Sequence, residues 1–216
     1  MADEAPSPDT PHAPGQQYAL PTPETLASAG DLKLLDEQGI SVHFRTLYTP
    51  PASSPHTRHL VVFIRHFYCG MCEAYVRMLS THLAPSTLAT VDADLTIIGC
   101  GQTDVVADYK QRTGCPFPIY CDPERRLYAK LGMVVNTKLG EQPGYAKQGF
   151  VVATLSSAWH IVSSGKKAFG GGDYGQNGGE LLFEGSDLRW CHWMRNTRDH
   201  AEVGELRMVL GLAERQ

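Results

Sequence analysis

The chain of 216 residues is 42% hydrophobic and 19% charged, enough to bury one good core, so one domain with a tail is expected. Its formal charge of -4 gives no electrostatic reason to propose nucleic acid or an anionic membrane as partner. No apolar run approaches the roughly 18 residues that a membrane span needs.

Residues 1–23 hold Pro6, Pro8, Pro11, Pro14, Pro21 and Pro23 among small polar residues, a composition that cannot bury enough surface to offset its ordering entropy. A disordered tail over 1–23 and a folded domain over 24–216 are expected. Met1 to Leu20 has no apolar core of a signal peptide, and Asp3, Glu4 and Asp9 oppose an Arg-rich transit peptide. That leaves cytosol or nucleus, and a cytoplasmic location is the expectation. Leu32 to Leu35, the turn Asp36-Glu37-Gln38-Gly39, and Ile40, Val42 and Phe44 at alternating positions predict a hairpin. Pro50, Pro51 and Pro55 mark a loop after it.

The apolar run Leu60 to Ile64 is branched and does not alternate, so it predicts a strand covered on both faces. Cys69-Gly70-Met71-Cys72 follows, and Cys72, Tyr75, Val76, Leu79 and Leu83 fall on one face of a helix. Leu95 to Ile98 predicts a second buried strand. Thr103 is expected to cap a helix carrying Val105, Val106 and Tyr109, closed by Gly114. After the short strand Ile119 to Cys121, Asp122 and Pro123 read as cap and first helical residue for a helix that Gly132 stops. Val151, Leu155, Ala158, Trp159 and Val162 have the period of an inserted amphipathic helix, followed by a glycine-rich loop from Gly170 to Gly179. Glu180 to Phe183 and Leu188 to Met194 predict a hairpin. Asp199 with Glu202 resembles a capping box for a last helix with Val203, Leu206 and Leu210 inward. The order of elements matches an α/β, thioredoxin-type sheet: a central mixed β-sheet flanked by helices, with an N-terminal hairpin and an insertion.

The chemistry is expected at Cys69 and Cys72. Six cysteines are too sparse for a disulfide scaffold, and a Cys-x-x-Cys at a strand-to-helix junction in a reducing compartment reads as a redox pair. Cys72 lies on the packed face, whereas Cys69 sits ahead of the first turn, where unpaired N–H groups and the helix dipole favour a thiolate. Arg65 and His66 could add positive potential there. A zinc site would need two more ligands, for which Cys191-His192 is the adjacent pair, but Cys191 is expected inside and His192 outside. Cys100, Cys115, Cys121 and Cys191 read as small buried hydrophobes. Arg189, Arg195 and Arg198 read as solvated. The Gly170 to Gly179 loop lacks a Gly-Lys-Ser/Thr ending, so no phosphate loop is expected.

Val62 to Cys72 resembles the thioredoxin strand, aromatic and Cys-Gly-x-Cys arrangement. With Tyr120 to Gly132, Gln176 to Gly179 and Asn196 to His200 in the same order, the chain resembles the peroxiredoxin-like AhpC/TSA antioxidant-domain proteins, in their peroxiredoxin-like 2 branch, over about Leu32 to Leu212. The resemblance implies a thioredoxin-like fold and thiol-dependent peroxide reduction through Cys69 and Cys72. Its implied partners are a hydroperoxide and a thiol reductant such as thioredoxin or glutathione; from charge, apolar runs and ligand count, no cofactor, metal, nucleic acid or membrane is expected. Peroxiredoxins proper place Pro and Thr seven and three residues before the peroxidatic Cys. Measured back from Cys72, those positions hold Arg65 and Cys69, and Gly178-Gly179 stands where a late-strand Arg would be. By the thioredoxin analogy Cys69 attacks and Cys72 resolves; by the peroxiredoxin alignment the peroxidatic position is Cys72. The Gly178-Gly179 bend is expected to bring backbone close to the thiols. General disulfide or quinone-type reduction and a non-catalytic redox sensor or adaptor are the alternative functions.

Overall fold

The computed structural model describes residues 16–49, 56–144 and 170–212. Thr22 caps α1 (Pro23–Gly30), its hydroxyl accepting the Thr25 N–H, with Pro23 opening the helix. The expected hairpin is β1 (Lys33–Leu35) and β2 (Ser41–His43). Asp36 makes its turn by accepting the N–H groups of Gln38 and Ile40, with Gly39 at φ 79. The chain continues through α2 (Arg45–Tyr48), β3 (Arg58–Phe63), α3 (Gly70–His82), α4 (Pro85–Ala89) and β4 (Ala93–Gly99). A short 3-10 turn leads into α5 (Val106–Thr113), then β5 (Ile119–Cys121) and α6 (Arg126–Lys130), and finally β6 (Gly179–Glu184), β7 (Asp187–Trp193) and α7 (Val203–Val209).

The seven strands form one mixed sheet in the order β2-β1-β5-β4-β3-β6-β7. β3, β4 and β5 run parallel, while β6 pairs antiparallel to β3 and β7 antiparallel to β6. β3 is covered on both faces, as its unbroken apolar run predicts. Leu60, Val62 and Ile64 face a core shared with α3, α5 and α7, and Val61 and Phe63 face a second core with α1, α2 and α6. Each such side chain contributes about 1.5–3 kcal/mol on burial. Tyr75, Val76, Leu79 and Leu83 are fully buried along α3, so this helix is held on the sheet by the face its period predicts.

Several local expectations change. Residues 1–15 lie outside the described residues, but Gln16–Tyr18 form a 3-10 turn, and the Ala19 carbonyl accepts the Trp193 Nε1–H at 2.8 Å on β7. The expected tail boundary at 23 therefore falls inside docked chain. Thr103 opens the 3-10 turn without capping it. Pro123 does not start α6; Arg125 turns left-handed at φ 56 just before it, and Asp122 caps from a distance, accepting the Leu127 N–H at 2.8 Å. Asp199 makes no capping box, because Arg195 takes its carboxylate. Arg189 pairs with Glu184 and Asp187 at the surface. The helix expected over 151–162 lies outside the described residues. Among those residues, no helix is long and apolar enough to cross a membrane.

Tyr128 ties the ends of β3 and β4 together, its hydroxyl within 2.7 Å of the Ile64 carbonyl and 2.9 Å of the Ile98 carbonyl. Tyr128→Phe is expected to lower unfolding free energy by about 1–3 kcal/mol in urea titration, because it removes the hydroxyl donor from the buried Ile64 carbonyl, while the Ile98 carbonyl keeps the Ile64 N–H. An unchanged midpoint would show that the Ile64 carbonyl finds another donor.

Candidate active site

Beyond β3 the chain turns through Ile64 to Tyr68 before entering α3. Phe67 donates its N–H to the Gly171 carbonyl at 2.9 Å, and its ring lies where a Cβ on Gly99 or Gly101 would stand. Arg112 holds the same turn from α5. It donates to the Phe67 carbonyl at 2.9 Å, lies over the Tyr68 ring, and is itself anchored on buried Glu73. The turn is thereby fixed where it delivers Cys69 to the helix start.

Cys69 is the N-cap of α3, and its sulfur accepts the Cys72 N–H at 3.4 Å, the position an oxygen cap would take. Cys72 is fully buried in the first turn, and its sulfur accepts the Arg65 N–H at 3.4 Å. The sequence-predicted pair is brought together, with Cys69 the less covered of the two at 5% exposure.

The Arg65 guanidinium is buried beside it. Nη1 donates to the Cys69 sulfur at 3.3 Å, Nε to the Gln176 carbonyl at 3.2 Å, and Nη2 to the Tyr174 carbonyl. Among the described residues no carboxylate pairs with Arg65, so the sulfur is its natural counter-charge. The thiol of Cys72 hydrogen-bonds to the Cys69 sulfur, and with the Arg65 charge this outweighs burial and holds Cys69 well below the ordinary thiol value. Burial, reinforced by the same hydrogen bond and by the charge on Cys69, pushes Cys72 well above it. An imidazolium at His66 would help Cys69 further, but burial pushes His66 down to about 4. It is neutral at pH 7, and the standing charge is that of Arg65.

On the other side of Cys72 lies a group that sequence reasoning missed. His200 Nε2 is 3.5 Å from the Cys72 sulfur, and His200 Nδ1 is 2.6 Å from Glu180 Oε1. Glu180 Oε2 is 2.9 Å from His192 Nδ1 and accepts the Ala201 N–H. All three side chains are buried. Burial raises the Glu180 pKa, but the two imidazoles outweigh it and bring the carboxyl to about 2. The expectation that His192 is exposed is corrected. The β6–β7 register shifts at Leu182/Phe183, which sets His192 opposite Glu180 on the core face. The one available signal was Glu180 itself, an acid within an apolar strand that needs a partner.

Cys191 lies in the core on the opposite face of the sheet from Cys69 and Cys72, so it cannot join them around a metal. Burial pushes Cys100, Cys121 and Cys191 up to about 12 and Cys115 to about 11. Gly178 does approach backbone closely, but at the Phe63 carbonyl rather than at the thiols, and Gly179 packs against His192 and Trp193.

A sequence model described as AhpC/TSA antioxidant enzyme matches residues 79–196. The chain belongs to the AhpC/TSA antioxidant-enzyme family. It is 30% identical over 218 residues to peroxiredoxin-like 2C of Homo sapiens, covering 96% of this chain and 93% of that protein. The match to peroxiredoxin-like 2C of Mus musculus is also 30%, over 86% of this chain and 80% of that one. Peroxiredoxin Q of Xanthomonas campestris shares the fold with a TM-score of 0.51 at 14% identity, over 90% of this chain and 95% of its own. A mutant form of peroxiredoxin 6 of Arenicola marina also has a TM-score of 0.51, at 13% identity over 84% and 69% of the two chains. The family supports a thiol-dependent redox function. The matched span begins after Cys72 and ends before His200, so it takes in Glu180 and His192 but neither thiol.

Two outcomes follow from these electrostatics. Alkylation of Cys69 by iodoacetamide is expected to have a midpoint below the ordinary thiol value, raised more by Cys72→Ala than by Arg65→Met; the reverse order would remove the Cys72 thiol as main stabiliser. Glu180, depressed from 4.5 to about 2, contributes stability fully present above pH 4.5 and lost as pH falls through about 2. Urea titrations from pH 5 to pH 2 are expected to show this loss in wild type, with a flatter profile in Glu180→Gln.

Proposed function

We propose that the protein is a thiol-dependent oxidoreductase that reduces hydroperoxides by cycling Cys69 and Cys72 between dithiol and disulfide. The observation that carries this reading is the buried Arg65 guanidinium 3.3 Å from the Cys69 sulfur, with Cys72 in the adjacent helical turn. Cys69 as thiolate attacks one oxygen of the O–O bond, which stays on sulfur as a sulfenic acid. The other oxygen leaves as alkoxide and takes a proton from solvent. Arg65 is placed to donate where that negative charge develops. The Cys72 sulfur then attacks the Cys69 sulfur, forming the disulfide; hydroxide departs and, with the proton lost by Cys72, becomes water. A thiol reductant of the thioredoxin or glutathione class restores the dithiol by exchange.

General disulfide reduction is the second reading. It is favoured by Cys69 standing where peroxiredoxins place Thr, since a low-pKa nucleophile beside a protonated partner also suits thiol exchange.

The test is titration of reduced protein with hydrogen peroxide, an alkyl hydroperoxide and a small disulfide, for wild type, Cys69→Ser and Cys72→Ser, with products mapped by mass. Wild type is expected to form the Cys69–Cys72 disulfide, Cys72→Ser to accumulate a trappable Cys69 sulfenate, and Cys69→Ser to fall to background consumption. If both variants consume peroxide as fast as wild type, the pair is not the site. A sulfenate trapped on Cys72 in Cys69→Ser would exchange the two roles. Oxidation without turnover when thioredoxin and its reductase are supplied would make the protein a sensor.

A further inference from the structure

The dithiol cycle requires Cys72, the fully buried thiol, to give up a proton at the moment it attacks. Its sulfur has no solvent exposure, and burial disfavours its own thiolate. Bulk hydroxide is a poor base for such a group. The Cys72 sulfur does, however, have an imidazole nitrogen at hydrogen-bond distance.

Glu180 decides which tautomer that imidazole takes. An ionised carboxylate can only accept, so the 2.6 Å contact with His200 requires the proton on Nδ1. In the neutral ring this leaves a lone pair on Nε2, the atom 3.5 Å from the Cys72 sulfur. Glu180 is held in turn by His192 and by the Ala201 N–H, and the His200 ring stacks on Tyr75 with centroids 4.2 Å apart. A carboxylate buried only to pair two histidines would not need the second nitrogen of one of them to face a thiol.

We infer that His200 is the general base for Cys72 in disulfide formation and that Glu180 is a positioning residue that fixes its tautomer. The inference rests on the dithiol reading and supplies the proton path that reading leaves open. With Cys69 carrying a leaving group, hydroxyl or a thiol substituent, the Cys72 proton moves to His200 Nε2 as the Cys72 sulfur bonds to the Cys69 sulfur. The bond from Cys69 to the leaving group breaks, and hydroxide or thiolate departs with the electron pair. The imidazolium then returns its proton to the departing group through water. Cys72 is oxidised; the Cys69 sulfur is reduced when hydroxide leaves a sulfenic acid, and the departing sulfur is reduced when a thiolate leaves, so no further reactant is needed. In the reverse direction, when a reductant attacks Cys69, the imidazolium protonates the departing Cys72.

Dithiobis(nitrobenzoate) separates the two steps without relying on peroxide: attack by Cys69 releases one thionitrobenzoate, and attack by Cys72 on the mixed disulfide releases the second. Both are followed by absorbance in stopped flow. His200→Gln is expected to slow the second release about 100-fold at neutral pH; a second release at the wild-type rate overturns the assignment. The groups facing the imidazole are Cys72 and Tyr75 from α3, Glu180 from β6 and, through Glu180, His192 from β7. With an internal base, the wild-type second release is expected to rise by much less than the roughly tenfold per pH unit that reliance on bulk hydroxide gives. That profile needs no variant, so it decides the matter if His200→Gln loses its native near-ultraviolet spectrum. Glu180→Gln is expected to slow the second release while leaving the first unchanged, because an amide can donate as well as accept and no longer fixes the Nδ1–H tautomer; Glu180→Asp is expected to restore the second release in part. A second release at the wild-type rate in Glu180→Gln, or no recovery in Glu180→Asp, overturns the positioning role. A Cys69→Ser protein that still shows both releases overturns the dithiol reading itself, and this assignment with it.

Discussion

The guanidinium of Arg65 lies buried at the end of β3 with two carbonyls and one sulfur around it, and the cost of burying an unbalanced cation governs its surroundings. The carbonyls of Tyr174 and Gln176 turn inward to meet it, closing the glycine-rich loop over the end of the sheet. An Nη1–H points at Cys69, so a thiolate there neutralises the cation while a neutral thiol leaves it unbalanced. One buried charge thus holds the loop and adds to the Cys72 hydrogen bond in keeping Cys69 ionised.

A second buried charge acts from the other side. Glu180 belongs to β6, opposite Val62 of β3, and its carboxylate lies between His192 and His200 in the same core that holds both cysteines. One side of the pair presents a cation to Cys69 and the other an imidazole nitrogen to Cys72. Two thiols of one helical turn are driven apart in acidity by their hydrogen bond to each other, which favours the Cys69 thiolate, and by the burial of Cys72. That separation is what a dithiol needs if one sulfur is to attack and the other to follow.

Much of this was legible along the chain. The unbroken run at β3 and the helical period of α3 depend on side chains a few residues apart, and the structure has both elements with the expected burial. Cys69 ahead of the first turn and Cys72 inside it are equally local facts, since a helix start favours charge whatever packs around it. The pairing of Glu180 with His192 was not legible in the same way. Counting back from the turn between Glu184 and Asp187 sets Glu180 opposite Cys191, and only the extra residue between the pairs Leu182–Trp190 and Phe183–Leu188 moves His192 into that place.

The sequence by itself determined a thioredoxin-like sheet with a Cys-x-x-Cys at a helix start, because apolar period, strand length and helix position are properties of neighbouring residues. Only the tertiary structure decided which charges attend the two sulfurs. His66 is neutral because burial beneath the loop that carries Tyr174 disfavours its charge, and His200 reaches Cys72 from an irregular stretch 128 residues away in sequence. Ionisation in a core depends on what excludes water from it, and that is settled by surfaces the chain brings together only once it has folded.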